Sequence, residues 1–178
     1  MDAADNTPAG VETEGYLAPE TVAAARDRYA ETVPTAKTAT REAAKAMEFD
    51  RAEYERRVTN DVVAAVRDAV FASSLRVEVA DRDSFEAWRA ETDAEVVLVG
   101  NESAPRVVWH APEFADRAVA ATFAEEREAA VGTLRRQAFG RLYREVLDEA
   151  DATDTGSDGD DAGDTTSSGD DAGDADVS

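Results

Sequence analysis

The sequence predicts an α+β domain. Three observations carry that prediction: apolar residues recur at helical spacing up to about residue 74, the period then drops to two, and a long helical pattern returns at Glu125. Behind Ala18-Pro19-Glu20, where proline suits a first helical turn, Val22, Ala25, Arg26 and Tyr29 mark a first helix. Pro34 opens a second, running to about Met47. Asp50 can cap a short helix over residues 51–58, and Asn60 or Asp61 a longer one whose Val62, Val63, Val66, Val70 and Phe71 would form one apolar face. Next, Leu75, Val77 and Val79 alternate with Arg76 and Glu78, which predicts a half-exposed strand. Asp83 and Ser84 then cap a short helix carrying Phe85 and Trp88.

Residues 96–99 and 106–110 flank Gly100-Asn101-Glu102-Ser103-Ala104-Pro105 and read as a hairpin. A fourth strand, 117–123, follows the break at Pro112. The last helix spans 125–147, with acids at its start and Arg141 and Arg144 nearer its end, as the helix dipole favours. The expected architecture is a helical segment of three to four helices, then a mainly antiparallel sheet of about four strands in strand-helix-strand-strand-strand order, closed by a long C-terminal helix.

One domain, residues 15–150, is expected between a disordered N-terminus, 1–14, and a disordered acidic tail, 151–178. The tail holds ten Asp, no basic or aromatic residue, and Gly-Asp-Asp-Ala-Gly-Asp twice, so it has nothing to bury. It fails as a calcium loop, because from Asp158 the fifth position is Ala162 and no Glu follows to close the site.

The charge is -21, from 40 acids against 19 bases, and 17 of those bases are Arg. Chains this acidic repel themselves in dilute buffer, and molar salt relieves that repulsion by screening. The composition therefore reads as salt-adapted, from a halophilic archaeon. With no Cys and one His, the chain lacks the ligands for Cys/His zinc sites and iron–sulfur clusters and has no cysteine nucleophile, so neither a metal nor a cofactor is expected. The first ten residues carry no positive charge, and the longest dense apolar run is residues 96–99, so the protein reads as cytoplasmic, without a membrane role.

Ala46-Met47-Glu48-Phe49-Asp50 with Tyr54-Glu55-Arg56-Arg57-Val58, the Val107-Val108-Trp109-His110 strand and the Leu134-Arg135-Arg136-Gln137-Ala138-Phe139-Gly140-Arg141 helix together resemble a small family of uncharacterised halophilic archaeal proteins. The resemblance covers about residues 15–147. It implies the salt-loving source and a single domain, and supplies no catalytic residues.

Three constellations are candidates for chemistry. Between Thr40 and Val58 the pattern suits a helix-turn-helix, with Arg51, Arg56 and Arg57 placed to meet phosphates or guanine edges, although Glu48 stands where the turn usually has Gly and Glu53 and Glu55 would face a polyanion. An ordinary helical hairpin explains the same residues. Arg135, Arg136, Arg141 and Arg144 put four positive charges within ten residues of a negative protein. Arg135 shares a helix face with Val131, Ala138 and Leu142, so it either snorkels or pairs with a carboxylate, or the cluster forms a pocket for an anionic ligand. Trp109 and His110 point to opposite faces of their strand, and the single His serves either the structure or a ligand or enzyme site centred on His110 and Arg135. The favoured reading is a non-enzymatic protein-interaction or regulatory module that binds a protein partner or itself. A DNA-binding regulator comes second, and an anionic-ligand binder or enzyme third.

Salt dependence tests the composition argument. The thermal midpoint of the protein should rise with KCl up to molar concentration, and a midpoint indifferent to KCl would remove the salt-adapted reading.

Overall fold

The computed structural model describes residues 10–154. Strand β1 (Glu12–Glu14) comes first, followed by helices α1 (Val22–Glu31), α2 (Val33–Ala46), α3 (Arg51–Arg57) and α4 (Asn60–Ser74). Strand β2 (Val77–Asp81), helix α5 (Arg82–Glu91) and strands β3 (Glu95–Val99), β4 (Arg106–His110) and β5 (Arg117–Phe123) follow. The chain closes with α6 (Arg127–Ala138), a π-helical turn (Phe139–Tyr143) and α7 (Arg144–Asp154).

Capping residues set several of these boundaries. Asp50 caps α3 as expected, in a full capping box with Glu53. Thr59, rather than Asn60 or Asp61, caps α4 by accepting from the Val62 N–H, and Asp81, rather than Asp83 or Ser84, caps α5. Thr21 caps α1, so Pro19 precedes that helix instead of lying in its first turn.

The sheet has five strands in the order β1-β2-β4-β5-β3 and is mixed. The α+β class stands, with three differences from expectation. First, β1 lies within residues expected to be disordered: a stretch of Glu-Thr-Glu has no apolar pattern, and it becomes a strand by pairing antiparallel with β2. Second, β3 and β4 form no hairpin. β4 is bonded on one side to β2 and on the other to β5, which leaves it no free edge, and β3 joins the far side of β5 in parallel register. Third, the long closing helix is interrupted by the π turn, and α7 runs past the boundary expected at residue 150. The acidic tail lies beyond the described residues.

Strand alternation divides the core in two. On one face Ala80, Val107, Trp109 and Ala120 pack against Phe85 of α5, with Trp88 alongside. On the other, Val77, Val79, Val108, Val119, Ala121 and Phe123 meet Phe71, Leu134, Leu142, Tyr143 and Leu147 from the helical layer. Helix α2 sits further out against α4. Small Ala side chains on β5 let helix and sheet approach closely, and the few aromatic rings fill the remaining space edge to face.

The α4 face differs from expectation as well. Phe71 and Ala72 turn into the core, whereas Val62, Val66 and Val70 point away from it; these sets lie about half a turn apart at 3.6 residues per turn.

The entry to this assembly depends on Gly15. Its φ is +91°, and a Cβ there would lie 2.4 Å from the Leu75 carbonyl oxygen and 2.8 Å from an Arg135 nitrogen. Gly15→Ala should therefore cost about 2 kcal/mol or more, read as a lowered thermal midpoint; an unchanged midpoint would mean that the β1 connection is dispensable.

Candidate functional site

The lone histidine is 3% exposed and uses both ring nitrogens inside the protein. Nδ1 lies 2.6 Å from the carbonyl oxygen of Arg76, which only accepts, so Nδ1 carries the proton and donates. Nε2 is therefore the acceptor for the Tyr143 hydroxyl at 2.7 Å. Burial, aided by the charges of Arg76 and Arg135, holds His110 down at about 4, against the opposing pull of the Arg76 carbonyl. Burial likewise pushes the Tyr143 hydroxyl well above its ordinary value. Both groups are neutral at ordinary pH, and neither ring nitrogen is left for a substrate. The void beside them, bounded by Ala18, Arg76, Glu78, Trp109 and Ala111, is about 30 Å³, room for water and little else.

Trp109 lies on the opposite face, as alternation requires, packed on Phe85 and Trp88 with its indole nitrogen buried beside the Glu78 side chain. Glu78, its cross-strand neighbour, is partly buried, and that burial raises its pKa.

Arg135 and Arg136 separate. The Nε of Arg135 donates to the Leu75 carbonyl at 3.0 Å, and one of its terminal nitrogens meets Glu14 at 3.3 Å, so the half-buried guanidinium ties α6 to the α4–β2 junction and to β1. Of the two readings of Arg135, this is the carboxylate-paired one. Arg136 points outward beside Thr133, with Arg141 and Arg144.

On α3 no residue is buried. Arg51 meets Glu55 at 3.0 Å, and Arg57 lies 3.8 Å from Glu53 with its guanidinium over the Phe49 ring, while Arg56 is exposed. The turn before α3 passes through Glu48 at φ +56°, the left-handed geometry that glycine would adopt more easily.

What the sequence reasoning missed is an apolar depression of about 430 Å³ where α2, α3 and α4 meet, lined by Ala43, Met47, Phe49, Val58, Val62 and Val66. A second depression of about 480 Å³ continues from Val62 and Val66 along α4 past Ala65, Ala69 and Val70. Met47 is 58% exposed and Val62 39%, so the described residues leave the face uncovered. Its signal was present in the sequence: Val62, Ala65, Val66, Ala69, Val70 and Ser73 follow helical spacing by themselves, without Phe71.

Residues 16–144 match the model of a family of unknown function, DUF5809. No curated protein and no solved structure matches the chain. Among the described residues, no helix is long and apolar enough to cross a membrane.

The His110–Tyr143 pair has a pH signature. His110 is neutral when folded and titrates near 6.5 when unfolded, so the stability it contributes is complete above that pH. It is lost as pH falls from there through about 4, by about 3 kcal/mol in total. Tyr143→Phe removes the donor to Nε2 and should cost about 1–3 kcal/mol at neutral pH in urea unfolding. A variant as stable as the parent would show that the bond contributes nothing.

Proposed function

The chain belongs to DUF5809, a family of unknown function, and from its geometry we propose that it acts as a non-enzymatic protein-interaction module whose contact face is the apolar surface of α2, α3 and α4. One observation carries this reading: the face is contiguous, uncovered and electrically neutral in a strongly acidic protein. Residues 33–74 hold seven bases and seven acids, so the rest of the chain carries the entire -21. Like-charged copies repel through their acidic surfaces, and here they meet without that cost. The small side chains Ala65, Ala69 and Ser73 allow a second helix to approach closely, with Val62, Val66 and Val70 beside them. The first occupant to test is accordingly a second copy in a two-fold arrangement, the commonest symmetry of soluble oligomers. The setting consistent with the acid surplus is the cytoplasm of a salt-accumulating halophilic archaeon.

The DNA-binding reading of residues 40–58 has less support. Its presumed recognition helix has only seven residues, and Arg51 and Arg57 already have carboxylate partners.

Light scattering on the full chain in molar KCl tests the proposal. The parent should run as a dimer, and the double variant Val62→Glu with Ala69→Glu as a monomer of unchanged thermal midpoint, since both side chains are exposed. A monomeric parent that captures a protein released by the double variant would keep the face and change the partner. A monomeric parent with no such partner would overturn the proposal.

A further inference from the structure

Six arginines elsewhere among the described residues, Arg26, Arg28, Arg51, Arg82, Arg117 and Arg127, each have a carboxylate within 4.0 Å. Three on the closing helix are different. Arg136 donates to the Thr133 hydroxyl at 3.4 Å, Arg141 to the Gln137 side-chain oxygen at 3.2 Å, and Arg144 lies over the Phe139 ring at 5.7 Å. These neighbours are all neutral. With Gly140 the same residues line an open depression of about 520 Å³ whose wall, among the described residues, has no acid, in a chain with two acids for every base.

The π turn gathers them. In an unbroken α-helix, at about 100° per residue, Arg141 and Arg144 would lie about 140° and 80° around the axis from Arg136. The turn is closed by an i→i+5 bond from the Arg144 N–H to the Phe139 carbonyl, which takes up one extra residue. Taking up that residue over the turn moves Arg144 to within about 20° of Arg136 and swings Arg141 part of the way toward them, so that the three line one depression. Such π turns occur frequently at functional sites.

Gly140 is a second, independent sign. A mid-helix glycine costs about 1 kcal/mol relative to alanine. Nothing in the packing requires it, because a Cβ there would meet nothing within 4 Å and its φ is not positive. A bare backbone at this point leaves the floor of the depression open to a ligand.

We propose that this face is a binding site for a compact phosphoryl polyanion, a diphosphate or short polyphosphate. Guanidinium forks pair with phosphoryl oxygens two at a time. Three forks offer more donor pairs than one phosphate accepts, whereas a diphosphate supplies oxygens to each. No aromatic side chain lines the depression on which a base could stack, so recognition rests on the phosphoryl groups. The Thr133 hydroxyl and the Gln137 amide add neutral donors.

The test is calorimetric titration of the full chain with inorganic pyrophosphate and with orthophosphate, in KCl from about 0.2 to 2 M, over which the screening length falls from about 7 to about 2 Å. Pyrophosphate should bind more tightly than orthophosphate. Arg141→Gln and Arg144→Gln should each weaken it about tenfold, the scale of one lost charge-assisted contact. Arg89→Gln, an exposed arginine of α5 outside the depression, should leave it unchanged. Gly140→Leu should abolish binding while holding or raising the thermal midpoint, which separates a blocked site from a damaged fold. Equal weakening by Arg89→Gln, binding indifferent to Gly140→Leu, or tight binding of duplex DNA without binding of pyrophosphate would each overturn the proposal.

Discussion

The fold is organised around a hydrogen-bonded chain that crosses it: Tyr143 donates to His110, and His110 donates to the Arg76 carbonyl. Its middle member sits at the end of β4, the central strand, so a side chain on the closing helix is fixed to the sheet and to the point where α4 passes into β2. Buried polar groups stabilise only when every donor and acceptor is satisfied, and this chain meets that condition with a single tautomer. It also dictates the shape of the helix. Continued as an α-helix from Ala138, the segment would carry Tyr143 about 120° away from the direction of Val131. The π turn restores it to the core side, together with Leu147.

Arg135 anchors the same junction from a neighbouring direction. Its bonds to the Leu75 carbonyl and to Glu14 bring the two ends of the domain together at the α4–β2 corner. The two fastenings share one logic: backbone carbonyls freed where helix gives way to strand are satisfied by side chains from a helix distant in sequence. A core rich in Ala and Val, with few large side chains to hold it, gains definition from such directional contacts.

Local features were legible in the sequence. The helices, and the strands from Val77 onward, were readable because each carries its own period, and Asp50 because its capping box is a short-range pattern. Partner choice was not legible. β1 is polar and exists only through its ladder with β2, and the turn residues 100–105 look like a hairpin loop although β4 has both edges occupied by other strands. At the sites, Arg135 and the opposite facing of Trp109 and His110 followed from spacing. The cluster of Arg135, Arg136, Arg141 and Arg144 was visible too; that Arg135 leaves it while the other three line one depression was not, because a one-residue shift in helical register is visible only as apolar positions falling out of step after Ala138. The exposed stripe of α4 runs beside the core-facing Phe71 in sequence, so apolar periodicity by itself does not separate the two faces.

Strand β3 leaves a consequence for the order in which the protein is made. It is synthesised before β4 and β5, yet among the described residues it pairs with β5 alone, which must itself be seated against β4. Tyr143 and Arg135, which secure those inner strands and the N-terminal corner, come later still. A chain emerging residue by residue thus holds nearly all of its strands without a finished core until the closing helix is out. Over that interval solubility rests on its charge and on the salt around it.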